Sequence, residues 1–138
     1  MALKRPVRET PAPGQESVWD YPRPPRVERT ESHVVVRHGG VVIADTTAAW
    51  RVLETSQPPA FYLPPTDLAW EHLRPAEGQS FCEWKGLAAY LDIVVGDTVA
   101  AAAAWTYPSP TPAFAAIRDH LAFYPQRVDE CFVDGEQV

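Results

Sequence analysis

Fifteen prolines among 138 residues constrain this chain more than any other feature of its sequence. Proline fixes φ and lacks a backbone N–H, so it ends helices and is excluded from the centre of a sheet. Few windows between the prolines are long enough for a helix, and no helix longer than about three turns is expected. The prolines therefore predict a mainly β protein with short helical turns at most.

Two hairpins are predicted from glycine turns, because glycine readily adopts the positive φ that tight turns need. Gly39-Gly40 separates the β-branched run 33–37 from residues 41–44, and Gly96-Asp97 separates residues 87–95 from residues 98–106. The second hairpin contains five consecutive alanines, which favour helix by intrinsic propensity. The matched lengths of its two runs and the valines beside the turn favour strands instead.

The remaining segments predict further short strands joined by turns. Residues 68–73 fit either a strand or one helical turn, and residues 113–120 fit a short helix. Many short strands with turn signals every 8 to 12 residues are typical of a barrel or sandwich-like body. The expected additional strands are residues 49–54, 60–63, 121–124 and 128–133.

The first 28 residues are predicted to be an extended, proline-rich segment, followed by one domain over residues 29–138. The segment carries Trp19 and Tyr21 in its second half. Two aromatic side chains are costly to expose, so this half is expected to lie across the folded body. The alternative is that Trp19-Asp20-Tyr21-Pro22 contacts another protein.

Composition excludes several partner classes. The formal net charge of -6 argues against binding to nucleic acid or to an anionic membrane surface. No apolar run approaches the roughly 18 residues of a membrane helix, and the N-terminal residues lack the apolar core of a secretory signal. The two cysteines, Cys82 and Cys131, do not by themselves imply a disulfide. A cytoplasmic protein of undetermined oligomeric state is expected.

One ordered set of short motifs resembles the family described as domain of unknown function 427. The resemblance covers residue 17 to the C-terminus, and no single motif would be specific alone. The motifs are Trp19-Asp20-Tyr21-Pro22-Arg23-Pro24-Pro25, Ile43-Ala44-Asp45-Thr46, Phe61-Tyr62-Leu63-Pro64, Cys82-Glu83-Trp84-Lys85-Gly86, Tyr90, Ala104-Trp105-Thr106-Tyr107-Pro108 and Ala122-Phe123-Tyr124.

The resemblance implies a β-tent, in which two antiparallel sheets lean together over a cleft. Relatives of that fold often bind zinc through paired Cys-x-x-Cys knuckles, but this chain has none, and its four histidines show no metal-ligand spacing. The family is also filed under a nucleotidyltransferase label. Such enzymes usually hold magnesium with an Asp-x-Asp pair, which this chain lacks. We therefore expect no metal and no cofactor.

Cys82 and Lys85 are the candidate catalytic residues. A nearby cation stabilises a thiolate and makes it nucleophilic. A spacing of three residues brings the two groups together only if a turn surrounds Gly86, since a strand would place them on opposite faces. The alternative is that Cys82 is a small buried residue and Lys85 a structural partner of a carboxylate. Asp45 could orient Lys85, or it could simply form an Asx-turn.

Aromatic residues supply the walls of a candidate ligand site. Tyr and Trp combine large rings with a polar tip, and their faces also hold cations. The alternative is core packing, because aromatic side chains dominate the cores of small domains. The same two interpretations apply to Trp50 and Trp84. The expected ligand-binding residues are Tyr62, Cys82, Lys85, Tyr90, Trp105 and Tyr107.

Three functions remain open on the sequence alone. The first is a module that binds an unidentified small molecule, with Lys85 holding an anionic or carbonyl group between stacked aromatics. The second is a hydrolase or transferase that acts through a covalent Cys82 adduct. The third is a protein-interaction module that uses the N-terminal segment or an exposed strand edge. Whether the protein is an enzyme is not decided by any motif.

Overall fold

The fold is antiparallel β throughout, as the computed structural model shows for residues 25–55, 58–82 and 84–138. In these residues the helical content is limited to short 3₁₀ turns, so the mainly β class is confirmed. The strands are β1 Arg26–Arg29, β2 Val34–His38, β3 Val41–Thr46, β4 Trp50–Leu53, β5 Ala60–Tyr62, β6 Leu73–Cys82, β7 Gly86–Val95, β8 Thr98–Thr106, β9 Leu121–Phe123, β10 Glu130–Val133 and β11 Glu136–Gln137.

The described strands form three sheets, in the orders β1-β4-β5, β11-β10-β2-β3 and β6-β7-β8-β9. We call them the small sheet, the valine sheet and the long sheet. Two sheets were expected; the difference arises because β4 pairs with β1 and β5 and does not extend the β2–β3 hairpin. The tent-like leaning of the sheets stays a prediction.

Both predicted hairpins are confirmed. β2 pairs with β3 around Gly39-Gly40, and β7 pairs with β8 around Gly96-Asp97. Gly39 and Gly40 have φ of 60° and 77°, the left-handed values that a two-residue hairpin turn requires. Turn chemistry therefore fixes the register of two of the longest strand pairs.

The alanine run 100–104 lies in strand β8, as the hairpin pairing predicts. The pairing is not regular, because the register shifts between Leu91 and Ile93. At this bulge Ala102 adopts φ 48°, and its backbone N–H donates to Asp92 Oδ1 at 2.8 Å. The aspartate thus holds β8 in a conformation that an alanine disfavours on its own.

The ten-residue strand β6 has no counterpart among the sequence predictions. Its pairing with β7 is interrupted between Pro75 and Gln79, and Gly78 has φ 95°. Proline and glycine inside a strand are typical of edges and bulges, and β6 is an edge strand of the long sheet. Before β6, the ambiguous segment 68–73 contains a 3₁₀ turn, Trp70–His72.

The short helix predicted over residues 113–120 is replaced by a 3₁₀ segment, Pro112–Ile117, which overlaps it and is kinked at Phe114. The chain then pairs again as β9. Two further 3₁₀ turns are Pro65–Asp67 and Pro125–Arg127. The Trp19 segment lies outside the described residues, and the domain boundary expected after residue 28 stays a prediction.

Two clusters of buried side chains make up the core. The larger one joins the valine and long sheets through residues such as Val36, Ile43 and Ile93. The smaller one joins the small and long sheets through Tyr62, Tyr107 and their neighbours. The long sheet therefore contributes to both clusters, and members of both clusters line the candidate site.

Candidate functional site

A cavity of about 670 Å³ lies against all three sheets. This volume falls within the usual range for small-molecule sites, about 300–1,000 Å³. Five of the six ligand-binding residues expected from the sequence line it; Cys82 does not. The lining residues are Val34, Val36, Glu54, Pro58, Pro59, Ala60, Phe61, Tyr62, Leu63, Ser80, Lys85, Ala88, Tyr90, Trp105, Tyr107, Phe123, Tyr124, Pro125, Gln126, Cys131, Val133 and Val138.

Strand register brings the aromatic wall together. Tyr90 of β7 lies directly opposite Trp105 of β8. Because side chains alternate along a strand, Ala88 shares the face of Tyr90, and the next residue of that face after Trp105 is Tyr107. The small Ala88 side chain leaves room in front of its large neighbours.

Tyr62 ties the small sheet to this wall. Its hydroxyl accepts a hydrogen bond from Trp105 Nε1 at 3.0 Å, and the two rings meet edge to face at 6.0 Å. The Tyr107 ring lies 6.2 Å from the Tyr62 ring. Trp105 also packs against Tyr124 at 4.4 Å. Tyr62 is 1% exposed, so these contacts order one continuous aromatic row.

Burial keeps the phenols of this row protonated. It raises the pKa of Tyr62 well above the usual 10, and the neighbouring Tyr107 raises it further. The pKa of Tyr107 is raised first by burial and then by nearby Cys82 and Glu54. Desolvation also raises the pKa of Tyr124. All three side chains therefore present neutral hydroxyl groups across the ordinary pH range.

Lys85 lies in the turn between β6 and β7 and is 6% exposed. The turn is fixed from outside, because the Thr111 backbone N–H donates to the Lys85 carbonyl at 3.0 Å and the Thr111 hydroxyl donates to the Trp84 carbonyl. Gly86 has φ 106°, which an L-residue rarely adopts. This backbone path turns the lysine side chain inward to the cavity wall.

The Lys85 ammonium is paired with a carboxylate. Nζ donates to Glu54 Oε1 and lies 3.8 Å from Cys82 Sγ. The faces of Tyr107 and Phe114 lie 5.9 Å and 6.0 Å from Nζ, within cation–π range. Glu54 neutralises the cation, so this end of the cavity is close to electrically neutral.

The turn does bring Cys82 and Lys85 together, as their spacing required. Cys82 ends β6, and its partner across the hairpin is Gly86. It packs against the smaller core cluster and is partly exposed as a free thiol. The thiol thus sits behind Lys85 and outside the set of residues that line the cavity.

Several lining residues escaped the sequence reasoning. Glu54 lies 31 positions before Lys85, and no local pattern links the two. Tyr124 belongs to a quoted family motif but was not singled out; its ring packs on Trp105, and Arg127 lies 4.3 Å over it. Cys131 is buried in the valine sheet, where desolvation raises the pKa of its thiol.

Asp45, a candidate partner for Lys85, lies elsewhere. Its carboxylate contacts His33 Nε2 at 2.6 Å, and the Asp45 side chain is 59% exposed. The carboxylate that pairs with Lys85 is Glu54. The two other candidate aromatic residues lie outside the cavity wall. Trp50 packs against the smaller cluster beneath Arg29, and Trp84 is exposed beside the turn.

Within the described ranges, no group of three or more His, Cys, Asp or Glu side chains could hold a metal ion. None of the helical segments in those ranges is long and apolar enough to cross a membrane. A family model described as "Domain of unknown function (DUF427)" matches residues 26–134. No curated protein matches the chain.

Proposed function

The chain belongs to the family of domain of unknown function 427, and from the geometry of its cavity we propose that it is a small-molecule binding module. The ligand is a planar, mainly apolar molecule that enters between the three sheets. Its ring stacks in the row formed by Tyr62, Trp105 and Tyr107. A hydrogen-bond acceptor on the ligand receives donation from the neutral phenols and from Lys85.

The observation that carries this proposal is the composition of the cavity wall. Aliphatic residues of the valine sheet face a row of aromatic side chains, and few polar groups interrupt them. Convergent polar groups within an apolar cavity of this size are typical of ligand sites. The Glu54–Lys85 pair makes an anionic ligand less favourable than the sequence suggested, because a bound anion would face Glu54 as well.

The cellular setting belongs to the same proposal. We place the protein in the cytoplasm, with the sheets arranged as the tent that the family resemblance implies. Cys82 and Cys131 are both free thiols, which suits a reducing compartment. Neither nucleic acid nor a membrane is proposed as a partner, because the net charge is -6.

A thermal-shift screen of planar aromatic compounds tests the proposal. A ligand that binds only the folded state raises the melting temperature, and the rise grows with the logarithm of ligand concentration above its dissociation constant. Trp105→Ala should abolish the shift of any compound that binds here, judged against the variant's own melting temperature. Trp70→Ala is the matched control, because Trp70 is 46% exposed and does not line the cavity. Equal shifts in both variants would place the site elsewhere.

The second candidate function is covalent chemistry by Cys82. It is favoured by one contact, the 3.8 Å separation of Lys85 Nζ and Cys82 Sγ. A cation at that distance stabilises a thiolate. Iodoacetamide labelling as a function of pH tests it, with Cys82 in the urea-unfolded protein as the reference, because burial raises the pKa of Cys131. The enzyme function requires Cys82 to label well below the pH at which an ordinary thiol reacts; labelling only at higher pH excludes it.

A further inference from the structure

Lys85 is an unusual residue to find in an apolar cavity wall. Its side chain is 7% exposed, whereas lysine almost never becomes fully buried without a partner. The chain has one other lysine, Lys4. A buried primary amine that faces a cavity of about 670 Å³ is in reach of any molecule that enters it.

The amine is placed beside a group that can take its proton. Glu54 Oε1 accepts directly from Nζ, and the Glu54 side chain is 23% exposed. The other neighbours of Nζ are Cys82 Sγ at 3.8 Å and the rings of Tyr107 and Phe114. Transfer of one proton within the pair converts two opposite charges into a neutral amine and a neutral acid.

We propose that Lys85 forms a reversible imine with an aldehyde or ketone bound in the cavity. This inference rests on the proposed function, since the carbonyl compound must first enter the cleft. Buried lysines act as nucleophiles toward carbonyl groups in this way. The planar ring of the compound would lie against Trp105, and its carbonyl carbon would meet Nζ.

The atoms of the step balance without any further reagent. Glu54 takes one proton from the ammonium, and the free electron pair of Nζ attacks the carbonyl carbon to form a C–N bond while the C–O π bond breaks onto oxygen. One proton then moves from the nitrogen to that oxygen and makes it a hydroxyl group. Glu54 returns its proton to the hydroxyl group, which leaves as water and gives the protonated imine beside the Glu54 carboxylate. The net change is one ammonium plus one carbonyl giving one protonated imine plus water.

Reductive trapping tests the inference on the full chain. The protein is incubated with 2-naphthaldehyde and sodium cyanoborohydride, which reduces an imine to a stable secondary amine, and the modified peptides are located by mass spectrometry. Adduct at Lys85 should exceed adduct at Lys4 by about tenfold or more, because binding holds the aldehyde against one amine. In 8 M urea, where the cleft is lost, the two lysines should label alike.

Two further arms separate this inference from the proposed function. 2-Naphthylmethanol has the same ring without the carbonyl, so it tests binding alone by thermal shift. Binding of the alcohol with no preference of the aldehyde for Lys85 overturns the imine and leaves the cleft intact. If neither compound shifts the melting temperature and both lysines label equally, the cavity does not bind the naphthyl ring. That result overturns both the proposed binding function and the imine.

The Glu54→Gln variant tests the role of the carboxylate. Glutamine keeps the size of the side chain but cannot accept the proton, so trapping at Lys85 should slow by about tenfold. The labelling of Lys4 in the same sample corrects for reagent strength. A trapping rate at Lys85 that is unchanged in a folded Glu54→Gln protein contradicts the proton transfer on which the inference depends.

Discussion

A single buried ion pair, Lys85 with Glu54, decides the character of the candidate site. Removal of one partner from a buried pair leaves the other charge uncompensated. We predict that Glu54→Gln lowers the free energy of unfolding by about 2–4 kcal/mol, because it leaves the buried Lys85 ammonium unpaired. Lys85→Met should cost less, because the Glu54 carboxylate that remains is partly exposed to water. Urea unfolding measures both changes. The double variant should cost less than the sum of the single variants.

The matched control is an exposed pair, Arg118 with Asp119. Their side chains are 67% and 61% exposed, with a nitrogen-to-oxygen distance of 3.9 Å. Exposed pairs contribute little, so Arg118→Ala should cost less than about 1 kcal/mol. Equal losses for Glu54→Gln and Arg118→Ala would show that the Lys85 charge is solvated and that the pair is not buried.

The phenols of the site predict a loss of stability in alkali. Burial raises the pKa of Tyr62, Tyr107 and Tyr124 in the folded state, whereas an unfolded tyrosine ionises near 10. Below that pH all forms are protonated and the phenols contribute no pH dependence. Above about 10 the unfolded chain loses protons that the folded chain keeps, so the free energy of unfolding falls as pH rises.

Spectrophotometric titration measures this effect directly. At a pH just above 10, the native protein should show less phenolate absorbance than the same protein in urea. Tyr62→Phe and Tyr107→Phe should each reduce this difference. Identical native and urea titration curves would contradict the burial of these hydroxyl groups.

At the residue scale, the sequence predicted which side chains lie at the site better than it predicted which of them contact each other. Tyr62, Lys85 and Trp105 could be singled out because rare polar and aromatic types cluster near proline and glycine breaks. Glu54 could not be singled out, because nothing in the sequence distinguishes it from a glutamate in an exposed loop. Its role depends on the small sheet bringing the end of β4 to a turn 31 residues later.

Among the elements, the β6–β7 turn depends most on one backbone position, Gly86. A Cβ there would meet the Ser109 carbonyl oxygen at 3.3 Å, in addition to the strain of φ 106°. Gly78 is a matched control in the same sheet, because it has φ 95° but no atom within 4 Å of such a Cβ. We predict a cost of about 1–2 kcal/mol for Gly78→Ala and a clearly larger one for Gly86→Ala.

Thermal unfolding of the two variants provides the comparison. Both changes introduce the same strain at positive φ, so their difference isolates the contact with Ser109. Gly86→Ala should also disturb the Lys85 position and weaken any ligand shift. Equal melting temperatures for the two variants would mean that the loop after β8 does not pack on this turn.

Strand β8 offers a substitution that should increase stability. Ala102 has φ 48°, where an alanine is strained by roughly 1–2 kcal/mol and a glycine is not. Glycine costs about 0.5–1 kcal/mol more entropy on folding, so Ala102→Gly should stabilise the protein by a net amount of about 0.5–1 kcal/mol. Ala101→Gly, one residue earlier, should destabilise it. A rise in the urea midpoint for Ala102→Gly together with a fall for Ala101→Gly would confirm the bulge. A fall for both variants would contradict it.

The elements show why strands could be predicted where turn residues mark them. Gly39-Gly40 joins two valine-rich runs, and Gly96-Asp97 has valines close to the turn on both sides; both hairpins form. Strand β6 gave no such signal, because Pro75 and Gly78 interrupt it. Pairing with the strong partner β7 overrides the weak intrinsic preference of that segment, which no local rule captures.

At the scale of the whole molecule, the cavity is a product of topology. Its walls come from the small, valine and long sheets, whose strands are distant in sequence. The sequence indicated which aromatics could form a site, but not that Val34 and Val36 would close it from another sheet. No single element supplies both the aromatic and the aliphatic walls.

The most direct test of the central claim uses the tryptophan side chains as reporters. Each of the five tryptophans gives one indole cross-peak in a ¹H–¹⁵N spectrum, and Trp105→Phe and Trp70→Phe assign two of them. We predict that titration with 2-naphthylmethanol shifts the Trp105 peak along a saturable curve and leaves the Trp70 peak in place. A saturable shift at Trp70 with Trp105 unmoved, or no shift at any indole, would contradict ligand binding in the cleft.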